Sequence, residues 1–321
     1  MQELKRLLGN EQQTFNAVLS RFIGEMPVSS RPVAEHILAS GGKRLRPFLT
    51  LYTGRALGGE DEKLYTLGAA VEMLHAATLL HDDILDNATL RRGKPAAHTI
   101  FSQLQAILAG DAMLAKAMLI VSRLGDTRLT DCISEAVMRT AEGEIQEFTQ
   151  LRDSRLSHED YITMITGKTA WMLRASCELG ALAAKTDPEL AQAAASFGLE
   201  LGIAFQMVDD ALDFSPSSQT GKPTGGDIRE GKITPPLTYY LQNSSPEEAS
   251  RLREAIANNS LKEDEIEALC ARVFQQGYAG KTRENANRHL ETAAASLKLF
   301  PESPYRTILE KMLAYIQTRD H

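Results

Sequence analysis

Cysteine is scarce in this 321-residue sequence, and the three cysteines present lie far apart. Cys132, Cys177 and Cys270 form no C-x-x-C pair, which excludes a disulfide framework and is typical of a protein from a reducing compartment. The N-terminal segment MQELKRLLGNEQQTF is polar and has no apolar stretch of the kind found in signal peptides. We therefore expect a cytoplasmic protein.

The sequence also lacks an excess of basic residues and a long uninterrupted apolar stretch. The 35 Lys and Arg residues are outnumbered by 42 Asp and Glu, and the net charge of −7 argues against a nucleic-acid-binding protein. The longest apolar stretch, residues 67–80, contains Glu72 and His75 and is too short to cross a bilayer, so we expect no transmembrane segment. A hydrophobic content of 43% is nevertheless enough for a sizeable core and excludes overall disorder.

The residue pattern is helical along nearly the whole chain. Ala, Leu and Glu dominate, and apolar residues recur at steps of three and four. No sustained alternation of β-branched residues indicates a sheet, and Gly and Pro divide the chain into roughly a dozen helices. The one long stretch expected to be non-helical, residues 215–232, has a length that is usually functional inside a compact domain. We predict a single all-α domain spanning residues 1–321.

An acidic motif, D-D-x-x-D, occurs twice in the sequence. It occupies residues 82–86 and 209–213, each time at the end of an apolar run with helical periodicity. Its first and fifth positions lie one helical turn apart, so three carboxylates gather on one side of the helix. With 16 aspartates in the chain, chance would produce about 0.04 such motifs, so solvated acidic helix ends do not account for the pair. Oxygen ligands of this kind suit Mg²⁺, which is commonly shared with substrate phosphates.

Basic residues are clustered near both acidic motifs. Residues 41–47 read G-G-K-R-L-R-P, and residues 91–94, which begin five positions after the first motif, read R-R-G-K. Lys222 and Lys232 bracket the loop expected after the second motif. Because Arg offers a planar fork to phosphate and Lys a point charge, the repeated pairing of acidic and basic clusters predicts metal–diphosphate binding.

The sequence from about residue 41 to residue 240 resembles the trans-polyprenyl diphosphate synthases, in particular their long-chain type, and so does the C-terminal segment LEKMLAYIQTRDH. The resemblance is carried by the segments GGKRLRP, LLHDDILDNATLRRGKP, LAGDAML, EGEIQE, GKTAWMLRASCELGA, FQMVDDALDF and GKPTGGDIREGKITPPL. It implies an all-α helical bundle around a central cavity, usually a homodimer. It also implies successive addition of isopentenyl diphosphate to an allylic diphosphate such as farnesyl diphosphate, with about three Mg²⁺ ions bound per active site.

Matching the motifs position by position, the resemblance implies three sets of site residues. The metal ligands would be Asp82, Asp83 and Asp86 on the allylic diphosphate, with Asp209, Asp210 and Asp213 on the facing helix. The substrate-binding residues would be Arg91 for the allylic diphosphate and Lys43, Arg46, His75 and Arg92 for isopentenyl diphosphate. The catalytic residues at the ionising end would be Lys168, Thr169, Gln206, Lys222 and Lys232.

Product length in this family would depend on the helix that precedes the first motif. Leu74 and Thr78 step back along one flank of this helix, with Ala77 beside them. Short-chain members resemble this pattern but carry aromatic residues four or five positions before the first aspartate, where this sequence has Thr78 and Ala77. An extended isoprene unit and a helical turn both span roughly 5 Å, so each unblocked turn admits about one more unit. We predict a long product of about eight units (C40) for a quinone side chain, delivered to the membrane.

Four other functions are compatible with parts of the pattern. The nearest is a prenyl synthase whose product has about 15 to 20 carbons, which product chromatography would distinguish from a long-chain synthase. A terpene cyclase would not need the basic residues, and a non-catalytic partner subunit would not need two intact aspartate motifs. A phosphohydrolase built on His81 and Asp82 would require further spaced His and Asp ligands.

Overall fold

The computed structural model describes residues 2–216 and 224–319, except the side chains of residues 2–8 and 10. Helices dominate this part of the chain, with one π-helical turn (Thr166–Ala170) and one hairpin, so the predicted all-α class is confirmed. The sixteen α-helices of the described residues are α1 (Gln2–Gly24), α2 (Arg31–Ala39), α3 (Leu45–Ala56), α4 (Asp61–Leu85), α5 (Ala97–Ile100), α6 (Gln103–Ser122), α7 (Thr127–Gln150), α8 (His158–Ile165), α9 (Trp171–Ala183), α10 (Pro188–Leu212), α11 (Gly226–Glu230), α12 (Pro235–Asn243), α13 (Pro246–Ala257), α14 (Glu263–Gln275), α15 (Tyr278–Leu297) and α16 (Pro304–Gln317).

The described chain forms two compact units. The first comprises the residues up to Val137 together with Met172–Gly198 and Leu297–Lys311. The second comprises Met138–Trp171, Leu199–Ser296 and the residues from Met312 onwards. The single domain predicted for residues 1–321 stays a prediction.

Helix α4 forms the buried centre of the first unit. It packs against α3 and α6, and all its residues from Leu67 to Leu74 are buried. Because a helix that is apolar on all sides belongs in a core, this position explains the apolar stretch at residues 67–80. Gly180 brings α9 close to α3, since a Cβ atom at this position would lie 2.5 Å from the carbonyl oxygen of Thr50.

The second unit has its own apolar core, built mainly from α11 to α14 and the start of α15. Phe214, Leu237, Tyr240 and Leu269 are among its fully buried members. Elsewhere in this unit, Gly143 of α7 lies directly against the π-helical turn, because a Cβ atom there would come within 2.2 Å of the Lys168 backbone nitrogen. This close approach places the Lys168 side chain beside the acidic residues of α7.

Two short elements depart from the sequence-based prediction. Residues 90–91 and 94–95 pair as an antiparallel hairpin, in a segment where only a break between helices was expected. The stretch 215–232 is not wholly non-helical, because it contains α11; its residues 217–223 lie outside the described part of the chain. Helix α11 begins where the Asp213 carboxylate accepts hydrogen bonds from the backbone N–H groups of Gly226 at 2.9 Å and Asp227 at 3.0 Å. Capping from a distant residue leaves no periodic signal in the sequence.

Helix α6 is more apolar than the sequence analysis recognised. Its mean hydropathy reaches 1.7, and among the described residues it is the one helix that is long and apolar enough to cross a membrane. The longest apolar stretch was therefore wrongly placed at residues 67–80, because Asp111 and Lys116 interrupt α6 without lowering its average much. Core helices of soluble proteins pass the same test, so this single helix is weak support for a membrane span.

Candidate active site

The first acidic motif ends α4 in the first unit. Asp83 is 1% exposed, and its Oδ1 accepts hydrogen bonds from both Nε (2.7 Å) and Nη2 of Arg91. Its second oxygen, Oδ2, is buried and has no hydrogen-bond partner. Asp82 is half-buried, while Asp86 is exposed and caps the helix. The motif therefore combines one buried carboxylate that is paired with an arginine, one half-buried carboxylate and one exposed carboxylate.

Basic side chains gather beside this motif in the same unit. The guanidinium group of Arg92 lies over Gly42, where a Cβ atom would come within 2.4 Å of its Nη1. Burial lowers the pKa of Arg46 to about 10, and the charge of Arg92 lowers it further. Burial also lowers the pKa of Arg92, and the charges of Arg44 and Arg91 add to this effect. Burial and the surrounding arginines hold the pKa of His75 well below its usual value, so His75 is neutral at pH 7. Four of the predicted substrate-binding residues therefore lie close together, with Arg46, Arg91 and Arg92 around the neutral His75. We call this cluster of side chains the cationic pocket.

The hairpin holds this pocket together. Lys94 Nζ donates a hydrogen bond to the carbonyl oxygen of Ala39 at 2.9 Å, and the His36 ring lies 2.8 Å from the carbonyl oxygen of Pro95. These contacts fasten the hairpin to the end of α2, immediately before the Gly41–Gly42 turn. Arg91 and Arg92 are therefore positioned by the hairpin, whereas Arg46 and the exposed Lys43 are positioned by that turn.

The second acidic motif ends α10 in the second unit, and each of its carboxylates has different partners. Asp210 is 5% exposed and accepts hydrogen bonds from Tyr161 Oη at 2.5 Å and Gln206 Nε2 at 2.8 Å. Burial raises the pKa of Asp210 to about 7 despite both hydrogen bonds. Asp209 pairs with Arg319 at 2.8 Å, and burial raises the pKa of Asp213, which caps α11.

These residues line a cavity of about 240 Å³ within the second unit. Its walls include most of the predicted catalytic and metal-binding residues of this unit, namely Lys168, Gln206, Asp209, Asp210, Asp213 and Lys232. Thr169 is 6% exposed and donates a hydrogen bond to Gln206 Oε1 at 2.8 Å. Lys222, the remaining predicted catalytic residue, lies outside the described residues.

Acidic side chains of α7 pair with the two cavity lysines. Lys168 Nζ lies 2.5 Å from Glu147 and 3.1 Å from Glu144, and Lys232 Nζ lies 3.6 Å from Glu147. Burial opposes the charge on Lys168, but the two carboxylates outweigh it and raise the lysine's pKa. Lys168 therefore stays protonated at neutral pH. Both lysines line the cavity and can bind an anionic group that enters it.

The donor atoms fit a divalent cation that is only partly held by protein. Within the described residues, no three His, Cys, Asp or Glu side chains form a complete metal site. Mg²⁺ usually keeps several waters and shares substrate phosphates, so an incomplete protein ligand set is expected. Asp83 Oδ2 and Asp227 Oδ2 are buried oxygens without hydrogen-bond partners, and Asp210 and Asp213 both raise the pKa of Asp227. A cation bound at Asp83 in the first unit would supply the missing partner of its Oδ2. A cation bound at Asp227 in the second unit would supply the missing partner of its Oδ2 and offset the repulsion from Asp210 and Asp213. The six metal ligands stay a prediction.

The predicted chain-length residues lie within α4. Leu74 and Ala77 are each 1% exposed, while Thr78 is half-buried with its hydroxyl donating to the carbonyl oxygen of His75 at 2.9 Å. No aromatic side chain occupies either position next to the motif. The side chains at positions 77 and 78 are therefore small, as the sequence indicated.

Several residues of these sites were not identified from the sequence. They are Glu72, Glu144, Glu147, Tyr161, Asp227 and Arg319. The two α7 glutamates lie in the E-G-E-I-Q-E segment and Asp227 lies in the G-G-D-I-R-E-G-K segment. The sequence analysis paired basic residues with nearby acidic clusters, and the same reasoning could have suggested these three acidic residues as partners of Lys168 and Lys232. Tyr161 and Arg319 lie 49 and 110 positions from their aspartates, and nothing in the sequence indicates the contact.

Comparison with known proteins decides the family. Residues 29–273 match the sequence model of the family described as Polyprenyl synthetase. The chain belongs to the polyprenyl synthetase family. It is 32% identical to the octaprenyl diphosphate synthase of Escherichia coli (strain K12), over 96% of each chain. A short chain isoprenyl diphosphate synthase of Methanocaldococcus jannaschii is 34% identical, over 83% of this chain and 77% of that protein.

A solved structure agrees with this assignment. The polyprenyl synthase of Caulobacter crescentus CB15, complexed with calcium and isoprenyl diphosphate, superposes with a TM-score of 0.92 at 35% identity. The superposition covers 99% of this chain and 97% of that chain. The protein is thus a trans-prenyl diphosphate synthase, a class of enzyme that joins isopentenyl diphosphate to an allylic diphosphate.

Proposed function

We propose that this enzyme makes a long all-trans polyprenyl diphosphate of about eight isoprene units, for use as a quinone side chain. The observation that carries the proposal is the pair of small side chains, Ala77 and Thr78, in the α4 turns before the first aspartate motif. Similarity to an octaprenyl diphosphate synthase supports a long product. Similarity to a short chain synthase keeps a product of about 15 to 20 carbons as the second candidate.

The enzyme is proposed to require Mg²⁺, held by Asp82, Asp83 and Asp86 in the first unit and by Asp209, Asp210 and Asp213 in the second. The calcium-bound relative, together with the orphaned oxygen of Asp83, supports a divalent-cation requirement. Bound Mg²⁺ supplies positive charge that stabilises a departing diphosphate.

Other residues of the chain bind the two diphosphates, face the allylic cation and exclude water. Lys168 stays protonated, and both Lys168 and Lys232 bind the leaving diphosphate. The Thr169 hydroxyl and the Gln206 amide form a hydrogen-bonded pair whose dipoles can face a developing allylic cation without attacking it. In the first unit, Lys43, Arg46, His75 and Arg92 hold the diphosphate of isopentenyl diphosphate, while Arg91 is assigned to the allylic diphosphate. The buried apolar residues beside the motif exclude water from the growing chain.

We also propose that the enzyme is a homodimer formed through α6. Leu104, Ile107 and Leu108 are 67%, 39% and 56% exposed and follow the helical spacing of one face, which Leu119 continues. An apolar stripe of this kind on a helix of high hydropathy is typical of an interface between subunits. The cytoplasmic location predicted from the widely spaced cysteines and the polar N-terminal segment stays a prediction.

Product sizing tests the proposed chain length. Labelled isopentenyl diphosphate, farnesyl diphosphate and Mg²⁺ would be incubated with the enzyme, and the dephosphorylated products separated by reversed-phase chromatography. We expect a main product of about 40 carbons. A main product of 15 to 20 carbons at the same substrate ratio would reject the long-chain proposal in favour of the second candidate.

A further inference from the structure

Glu72 is a buried carboxylate beside the cationic pocket of the first unit, and the proposed reaction does not use it directly. It lies in the middle of α4, three residues before His75, and is 4% exposed. Its Oε1 accepts a hydrogen bond from Arg44 Nη1, and the two side chains are only 5% and 7% exposed. Replacing a buried ion pair by apolar residues is often neutral or stabilising, so stability alone does not explain this pair.

Arg44 links Glu72 to the turn that carries two of the pocket's cations. Its Nη2 donates a second hydrogen bond to the carbonyl oxygen of Leu38 at 2.7 Å, so one guanidinium group joins α4 to the end of α2. The Arg44 backbone is left-handed, with φ of 49°, which is unfavourable for a residue other than glycine unless its surroundings hold it. Lys43 precedes this residue and Arg46 follows it in the first turn of α3.

The charge of Glu72 also acts on the rest of the pocket. It is the largest favourable influence on the protonated forms of Arg46 and Arg92, opposing the effect of their burial. Arg92 in turn lies over Gly42, so the turn and the hairpin meet through these side chains. Glu72 is therefore the acidic centre around which three arginines are arranged.

We propose that Glu72 is a positioning residue of the isopentenyl diphosphate site, which acts through Arg44 to present Lys43 and Arg46 to the diphosphate. The inference rests on the proposed assignment of the cationic pocket to isopentenyl diphosphate. Loss of Glu72 has two opposing effects. The pocket gains net positive charge, which favours an anion, but Arg44 is left buried without a counter-charge and must move towards solvent with its turn. Water and salt screen the added positive charge of the pocket. The loss of the counter-charge of Arg44 occurs in a buried place and is not screened, so we expect the displacement of Arg44 and its turn to dominate.

The test compares Glu72→Gln with Glu62→Gln, a matched loss of an exposed carboxylate on the same helix. Calorimetry would measure the Kd for isopentenyl diphosphate alone and, separately, for farnesyl diphosphate with Mg²⁺, with thermal unfolding as a check on folding. In Glu72→Gln we expect the Kd for isopentenyl diphosphate to rise at least about tenfold. The Kd for farnesyl diphosphate should stay within about twofold, and Glu62→Gln should match the wild type for both ligands.

Three results would overturn the inference: unchanged binding of isopentenyl diphosphate in folded Glu72→Gln, tighter binding, or equal weakening for both ligands. If Glu72→Gln does not fold, two variants that keep the charges replace it. Glu72→Asp shortens the carboxylate side chain, and Arg44→Lys removes the guanidinium group that makes both hydrogen bonds. In each we expect weaker binding of isopentenyl diphosphate and unchanged binding of farnesyl diphosphate. Unchanged binding in both would also overturn it. Failure of the wild type to bind isopentenyl diphosphate would instead reject the assignment of the pocket, and the inference with it.

Discussion

Replacement of Asp210 by Asn should stabilise the metal-free enzyme although it removes a proposed metal ligand. Burial, the largest influence, raises the pKa of this carboxyl group from 3.8 to about 7 against the hydrogen bonds from Tyr161 and Gln206. An acid whose pKa is raised by folding holds its proton more tightly in the folded state. The charged form therefore destabilises the fold as the pH rises above 3.8, and the full penalty is present above about pH 7.

The size of the effect follows from this shift. About three pKa units correspond to about 4 kcal/mol of unfavourable free energy at pH 8. The neutral Asn side chain avoids this penalty but cannot accept both existing hydrogen bonds equally well, which costs about 1–2 kcal/mol. We therefore expect the free energy of unfolding of Asp210→Asn to exceed that of the wild type by about 2–3 kcal/mol at pH 8 and to lose this advantage at pH 4.

Urea denaturation in the presence of a chelator, at several pH values from 4 to 8, measures this difference. Asp209→Asn is the control, because Asp209 is 48% exposed on its side chain and pairs with Arg319, so its loss should not stabilise the fold. If Asp210→Asn is no more stable than the wild type at pH 8, or shows the same dependence on pH, then burial does not govern the ionisation of Asp210.

Three further outcomes are expected. Ala77→Tyr places an aromatic ring five residues, or about 7.5 Å, before Asp82, which leaves room for about one or two isoprene units beyond the motif. Product chromatography should show a sharply shorter product. An unchanged distribution of products would show that the growing chain does not run along α4. Arg319→Gln removes the partner of Asp209 and should lower the free energy of unfolding, measured by urea denaturation, by about 1 kcal/mol. No change would mean that this ion pair does not contribute to stability. Leu108→Glu should convert the proposed dimer to a monomer in sedimentation velocity, and a persistent dimer would exclude the α6 surface as its interface.

Long periodic elements and repeated motifs were predictable from the sequence. Helices α4 and α10 end at the two aspartate motifs, as the apolar periodicity before each motif indicated. His75 lies in the cationic pocket because helical spacing places it near Asp82, two turns along the same helix. These predictions succeeded because both the helix and the spacing depend on neighbouring residues.

Features that depend on distant residues were not predictable. Helix α11 has five residues, too few for a periodic pattern, and it begins at a cap supplied by Asp213. The partners of the second motif, Tyr161 and Arg319, come from separate helices or the chain end. Glu72 looked like an interruption of an apolar stretch, and only the fold shows that it is paired with Arg44.

The claim on which the account depends is that both aspartate motifs bind the divalent cations needed to ionise an allylic diphosphate. Initial rates of labelled isopentenyl diphosphate incorporation onto farnesyl diphosphate would be measured after chelation and after Mg²⁺ is returned. We predict that chelated wild type is inactive and recovers with Mg²⁺, and that folded Asp82→Ala and Asp209→Ala each lose at least about a hundredfold in rate. Full activity in either variant, or in the chelated wild type, would contradict the claim.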